Sequence, residues 1–185
     1  MKVIGITGNY HAQPAGHYFL MADSALLPMG KDLYLPNLRQ RAEAHPALLA
    51  RVGRLGKCVA TRFAHRYVDA VTAGFVIVTH DDDPATLALR QAADSALLVG
   101  PWQATTQWQN DNWRLRTPQE EIALGDTTLP LDSMISQVSN YCSLKMGDIF
   151  ITGLGNPIDL APGMTLQADT EADDRPPATC RWNVK

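Results

Sequence analysis

The sequence predicts an α+β domain dominated by β structure, with many short strands and a few short helices. Three observations predict it. Apolar and β-branched stretches are short and frequent, glycine and proline interrupt the chain every few residues, and few segments carry apolar residues at helical spacing. The 185 residues suit a single domain over 1–185, with residues 169–185 forming an acidic, proline-rich tail and a terminal strand. Apolar residues make up 45% of the chain, enough for a substantial core.

Val3, Ile4, Gly5 and Ile6 read as a buried strand that ends at Gly8, with Pro14 and Gly16 marking a loop. Residues 18–21 give a second strand, residues 26–30 a turn, and Leu33, Tyr34 and Leu35 a third strand before Pro36. Residues 37–50 leave two readings open. Leu38, Ala42, His45 and Leu49 share one helical face, but Pro46 argues against a continuous helix. Residues 51–57 run as a strand into a turn at Gly56. Thr61 then caps a helix carrying Phe63, Ala64, Tyr67, Val68 and Val71. The run from Phe75 to Thr79 is a buried strand, and Asp83 with Pro84 starts a helix. Residues 113–116 and 121–124 form two antiparallel strands around Pro118, and Asp132 caps a helix carrying Ile135, Val138 and Cys142. A turn at 145–148 leads to a strand at 149–151, and residues 160–167 give a further turn and strand. Residues 169–177 are a loop before the terminal strand at 180–184.

The formal net charge is −3, with both signs scattered, so nucleic acid is not an expected partner. No apolar run is long enough to span a bilayer, and the first residues lack the apolar stretch of a signal peptide. A cytoplasmic location is therefore expected. Three widely spaced cysteines, Cys58, Cys142 and Cys180, imply neither a zinc cage nor a disulfide framework.

Several stretches, taken together, resemble the fumarylacetoacetate hydrolase family. Residues 3–10 are similar to its opening strand and Asn-Tyr turn. Residues 19–27 (FLMADSALL) resemble its Phe-x-Lys-Pro-x-Ser-Ala-Leu segment. Residues 144–153 (LKMGDIFITG) resemble its Leu-x-x-Gly-Asp-x-Ile-x-Thr-Gly. The strings RVGRLGK at 51–57 and RFAHRYVDAVT at 62–72 look like one subgroup of that family. The resemblance covers about residues 1–168. It implies a β-roll or distorted barrel, a homodimer, and an ancestral cleavage, decarboxylation or isomerisation of small 2-oxo or 1,3-dicarbonyl acids with Mg²⁺ or Mn²⁺.

Such chemistry passes through an enolate whose charge a divalent ion takes up, and a hard cation needs oxygen ligands. The family supplies a Glu-x-Glu pair before the Arg-Leu-Gly-Lys segment and an Asp on the strand after the helix. Counted without gaps, those positions fall on His45, Ala47 and Val76, none of them a carboxylate. Glu43 lies two residues before His45, so a slipped register recovers one acid at most. The family's lysine falls on Met21, and its histidine after the Asn-Tyr turn falls on Gln13, with His11 nearby. No metal or other cofactor is therefore expected.

The chain reads as a degenerate, catalytically impaired or non-catalytic member of that family. It retains a pocket for a small carboxylic acid near Asn9, Tyr10, Ser24, Thr152 and Gly153. The competing reading is an active hydrolase, decarboxylase or isomerase with a rebuilt site. That site would use Mg²⁺ or Mn²⁺ with His11, His45 or the run His80, Asp81, Asp82 and Asp83. The expected reading of that run is a polar loop before the helix at Pro84, because adjacent residues point opposite ways and a consecutive run rarely encloses one ion. Glu120 and Glu121, side by side on a strand, face opposite ways.

Overall fold

A computed structural model describes residues 1–35, 41–80, 83–173 and 175–185. The strands are β1 (Val3–Gly8), β2 (Ala15–Met21), β3 (Leu26–Pro28), β4 (Ala42–Val52), β5 (Val68–Thr79), β6 (Leu97–Val99), β7 (Gln103–Ala104), β8 (Arg114–Arg116), β9 (Glu121–Ala123), β10 (Ile149–Ile151), β11 (Ile158–Asp159), β12 (Thr165–Glu171) and β13 (Ala178–Asn183). The α-helices are α1 (Leu87–Gln91) and α2 (Leu131–Tyr141). The fold is mostly β, and neither of its two sheets closes on itself.

The larger, mixed sheet runs β2-β1-β10-β4-β5-β6-β3, with β11 also on β4 and β7 also on β5. The smaller, antiparallel sheet runs β13-β12-β8-β9. The long β4–β5 pair organises both cores, because side chains alternate across a strand. Ala44, Leu48, Ala50 and Val52 of β4 face a core shared with Trp113 and Trp182 of the smaller sheet region. Ala47 and Leu49 face a second cluster with Val76, Phe19 and Met21.

Of residues 37–50, where two readings were open, 42–50 are strand, and the strand continues to Val52; Leu38 lies outside the described residues. Pro46 is accommodated because β11 pairs only with Glu43 and Ala44, and β10 only with Leu49, Ala50 and Arg51. Between them, β4 faces the irregular segment after β10, where the Pro46 carbonyl accepts from Gly155 N–H at 2.8 Å. A proline, which has no N–H to give a ladder, fits such a gap.

The helix expected after Thr61 shrinks to a 3₁₀ turn, Thr61–Arg66, whose N-cap is Ala60. Val68 and Val71 enter β5 instead, opposite Val52 and Ala50. Burial on a pleated surface outweighs the helical spacing of these β-branched residues. Leu33 forms an isolated bridge with Val184 rather than a strand. α2 begins at Leu131 with Pro130 as N-cap, and the Asp132 carboxylate accepts from Ser133 N–H at 2.7 Å inside the first turn. β12 extends to Glu171, into the expected loop, because Asp169, Thr170 and Glu171 pair with β8. All three cysteines are free; Cys180 is buried, and burial pushes its thiol up to about 12. Trp108 and Trp113 are buried, whereas Trp102 is half-buried, with the Arg51 guanidinium 5.4 Å from its ring centre.

Candidate functional site

The β4–β5 register sets His45 opposite Val76, Ala47 opposite Gly74 and Glu43 opposite Val78. Alternation puts 43, 45 and 47 on one face of β4, and 76 and 78 on the same face of β5. β2 brings Phe19 and Met21 to that face, and the segment after β10 brings Leu154. A cavity of about 280 Å³ lies among Phe19, Met21, His45, Val76, Val78 and Leu154. Ala47 is fully buried in the adjoining cluster. The positions singled out from sequence at 21, 45 and 76 therefore line one cavity, and its lining there is a thioether, an imidazole and an isopropyl group.

Among those three positions, His45 is the one with ring donors and acceptors. Its Nδ1 lies 2.9 Å from the Gly155 carbonyl oxygen. A carbonyl only accepts, so Nδ1 carries a proton, and the ring in its neutral form presents a lone pair at Nε2. Nε2 lies 3.6 Å from a Glu43 carboxylate oxygen, beyond hydrogen-bond length. Glu43 is buried and already engaged. It takes His80 Nε2 at 2.9 Å and Arg41 Nη2 at 2.8 Å. The His80 hydrogen bond, more than any other influence, holds the Glu43 carboxyl below the usual carboxylate range. Asp81 and Asp82 lie outside the described residues, and Asp83 caps the following turn by accepting from Ala85 N–H at 2.9 Å.

His11 lies elsewhere and is not among the residues lining this cavity. Its Nε2 lies 2.6 Å from Glu120 Oε2. Glu120 also accepts from Asn156 N–H and Nδ2, both at 2.9 Å. Glu121 turns the other way to Arg116, at 2.6 Å, as strand alternation requires. Leu154, Gly155 and Asn156 thus separate two histidines. Leu154 lines the cavity, the Gly155 carbonyl holds His45, and Asn156 holds the carboxylate that takes His11.

Asn9, Tyr10, Thr152 and Gly153 come together, but as a buried knot. Asn9 Nδ2 donates to the carbonyls of Leu129 (3.0 Å) and Thr152 (2.6 Å), and its Oδ1 accepts from Leu129 N–H at 2.6 Å. The Tyr10 hydroxyl donates to the Thr152 hydroxyl and accepts from Leu48 N–H at 3.2 Å; the Thr152 hydroxyl donates to Leu48 O at 3.0 Å. Burial pushes the Tyr10 phenol up to about 12. A Cβ on Gly153 would meet Gly8 O at 2.8 Å and the Tyr10 ring at 3.0 Å, so only glycine allows this approach. Ser24 sits apart, exposed on a 3₁₀ turn, Asp23–Ala25.

Sequence reasoning missed three features. Glu120 meets His11 across 109 positions, a pairing that no local spacing announces. Glu43 and His45 share a strand face, a period-two signal hidden while the segment remained ambiguous. Arg90, from α1, lines the cavity through tertiary placement alone.

A hard divalent cation does not fit this lining. The family positions offer one imidazole, a methyl and an isopropyl group, and the acid on the same strand face, Glu43, is already engaged by Arg41 and His80. Among the described residues, no group of three or more His, Cys, Asp or Glu is arranged to hold a metal ion.

The family model for the C-terminal part of fumarylacetoacetate (FAA) hydrolase matches residues 7–172. No curated protein matches the sequence. The fold is similar to that of 5-carboxymethyl-2-hydroxymuconate delta-isomerase from Mycobacterium smegmatis, with TM-score 0.83, 18% identity, and coverage of 99% of this chain and 78% of that one. It is similar to yeast ynq8, a fumarylacetoacetate hydrolase family protein, with TM-score 0.86, 13% identity, and coverage of 100% and 92%. It is also similar to fumarylpyruvate hydrolase from Pseudomonas aeruginosa in complex with Mn²⁺ and pyruvate, with TM-score 0.79, 16% identity, and coverage of 100% and 90%.

Proposed function

The chain belongs to the fumarylacetoacetate hydrolase family, and from that premise we propose that it is a non-catalytic or catalytically impaired member that keeps a cavity for a small carboxylic acid. One observation carries this reading. Met21, His45 and Val76 line a single cavity, and its apolar wall stands where the family's lysine and two of its acids are expected. Losing even partners that merely orient metal ligands weakens binding or activity about 10–100-fold. Replacing the ligands themselves removes more. The test is calorimetric titration of Mn²⁺ and Mg²⁺, alongside assays with oxaloacetate and an acylpyruvate. No saturable micromolar binding and no turnover above buffer are expected. Stoichiometric Mn²⁺ bound at micromolar affinity would overturn the proposal.

A second reading draws on Glu43, which lies 3.6 Å from His45 and 2.9 Å from His80. An active hydrolase, decarboxylase or isomerase with a site rebuilt there would turn over a 2-oxo or 1,3-dicarbonyl acid. A chelator and His45→Ala would each abolish that activity.

The proposed partner is a second copy of the chain. β2 ends the order of the larger sheet, has no Lys, Arg, Asp or Glu, and exposes Tyr18 and Leu20. Unblunted edges of this kind invite strand pairing. Light scattering on the purified protein would then give twice the chain mass. Among the described residues, no helix is long and apolar enough to cross a membrane.

A further inference from the structure

The cavity lining is mainly apolar and carries one guanidinium, with the imidazoles of His17 and His45 and the uncharged polar side chains of Thr7, Thr79 and Gln91 around it. Arg90 lines it together with Phe19, Met21, Val76 and Leu154. Its Nε donates to Thr86 Oγ1 at 3.1 Å and its Nη1 to the Thr79 carbonyl at 2.5 Å. Both acceptors are uncharged, so they orient the guanidinium without neutralising it. His45, at the same cavity, spends its Nδ1 proton on Gly155 and presents only an acceptor when neutral.

We propose that Arg90 anchors the carboxylate of a monocarboxylic acid whose apolar tail packs against Phe19, Met21, Val76 and Leu154. This proposal rests on reading the cavity as free of metal, and it deepens that reading by naming the ligand class and its anchor. One guanidinium balances one negative charge, and its planar fork suits a carboxylate. The lining offers no second guanidinium or ammonium group, so a second carboxylate would face the apolar wall of Val76 and Leu154 or at best an imidazole, and desolvating a charge without a full counter-charge is costly. A short 2-oxo acid such as pyruvate brings no apolar tail to cover that wall, so it gains less here. The cavity's 280 Å³ sits at the small end of ligand pockets, which limits the tail to a short chain or single ring.

The experiment titrates hexanoate, 1-hexanol, succinate and pyruvate into the purified full chain by calorimetry, with EDTA present throughout. Wild type binds hexanoate at least about 10-fold more tightly than hexanol or succinate, and pyruvate more weakly still. Arg90→Gln loses about 10-fold or more for hexanoate and leaves hexanol unchanged, while Arg90→Lys recovers part of the loss. The circular dichroism melt of each variant establishes that it folds. Should Arg90→Gln be unfolded, the Arg90→Lys ratio of hexanoate to hexanol affinity decides: a ratio unchanged from wild type overturns the proposal, and a fall supports it. Hexanoate binding no better than hexanol overturns the Arg90 anchor but leaves the metal-free reading intact. Pyruvate binding that appears only when Mn²⁺ replaces EDTA overturns both.

Discussion

The buried knot around Asn9 and the cavity around His45 sit on opposite faces of the same strand, yet they differ in what holds them. Leu48 of β4 gives its N–H to Tyr10 and its carbonyl to Thr152. Three residues earlier, His45 opens into an apolar cavity. The knot is polar, enclosed and fully hydrogen-bonded. The cavity is mainly apolar, and the family's metal-ligand positions in and beside it carry no carboxylate. On the proposed reading, the site has lost its chemistry while the scaffold beside it stays intact, because the two depend on different atoms.

The largest effect belongs to the knot. Asn9→Ala strands the buried Thr152 carbonyl and the half-buried N–H and carbonyl of Leu129. We expect a loss of about 3–5 kcal/mol in urea unfolding, since each stranded group costs about 1–3 kcal/mol. A loss below about 1 kcal/mol would show that water reaches the knot, and the contrast with the cavity would fail.

The cavity responds in the opposite sense. In EDTA, the triple variant His45→Glu, Ala47→Glu, Val76→Asp gathers three carboxylates, and their repulsion and desolvation lower stability by about 2–4 kcal/mol. Mn²⁺ then restores that stability by mass action, so its melting temperature rises with Mn²⁺ while the wild type's does not. No Mn²⁺-dependent rise in the triple variant would mean that these three positions do not converge closely enough to hold an ion.

The same contrast explains what the sequence could reveal. The string at 51–57 with 62–72 carries the strongest family resemblance, and the structure shows it to be a packing unit. Arg51 Nε donates to Asp69 at 2.8 Å, and Cβ atoms on Gly53 and Gly56 would collide with Asp69 and Tyr67. The Gly147-Asp148 turn is similar: Asp148 is fully buried and accepts from Lys2 N–H at 2.8 Å and Lys145 N–H at 2.7 Å. Local constraints of this kind leave local signatures, so the fold was legible. The positions at 21, 45 and 76 were legible only through that resemblance. Arg90 and Glu120 carried no signal, because their placement depends on contacts between distant segments. The 61–71 stretch misled for a related reason: its helical spacing was genuine, but the β4 partner of Val68 and Val71 lay outside any local window.

A smaller effect sharpens the boundary of the cavity. Glu43 has a lowered pKa in the folded chain, caused chiefly by His80. A carboxylate of that kind contributes its full stability above its unfolded value, and the contribution fades as pH falls through the folded one. Glu43→Gln should therefore cost about 1–2 kcal/mol at neutral pH. That gap should close as the buffer is taken below the ordinary carboxylate range. Melting curves across pH check this. A gap that persists at low pH would assign Glu43 a packing role instead of an electrostatic one.

The smallest effect separates Ser24 from both regions. Its neighbours in sequence resemble a family motif as strongly as Asn9's do, but it stands exposed on a 3₁₀ turn beyond β2. Removing an exposed hydroxyl leaves no buried group stranded, so Ser24→Ala should shift stability by less than about 0.5 kcal/mol. Hexanoate affinity should not change either. A several-fold loss of affinity in that variant would extend the ligand site past Met21 to the turn that follows it. The cavity would then reach further along the chain than its apolar wall, and a polar end for the ligand's tail would have to be sought there.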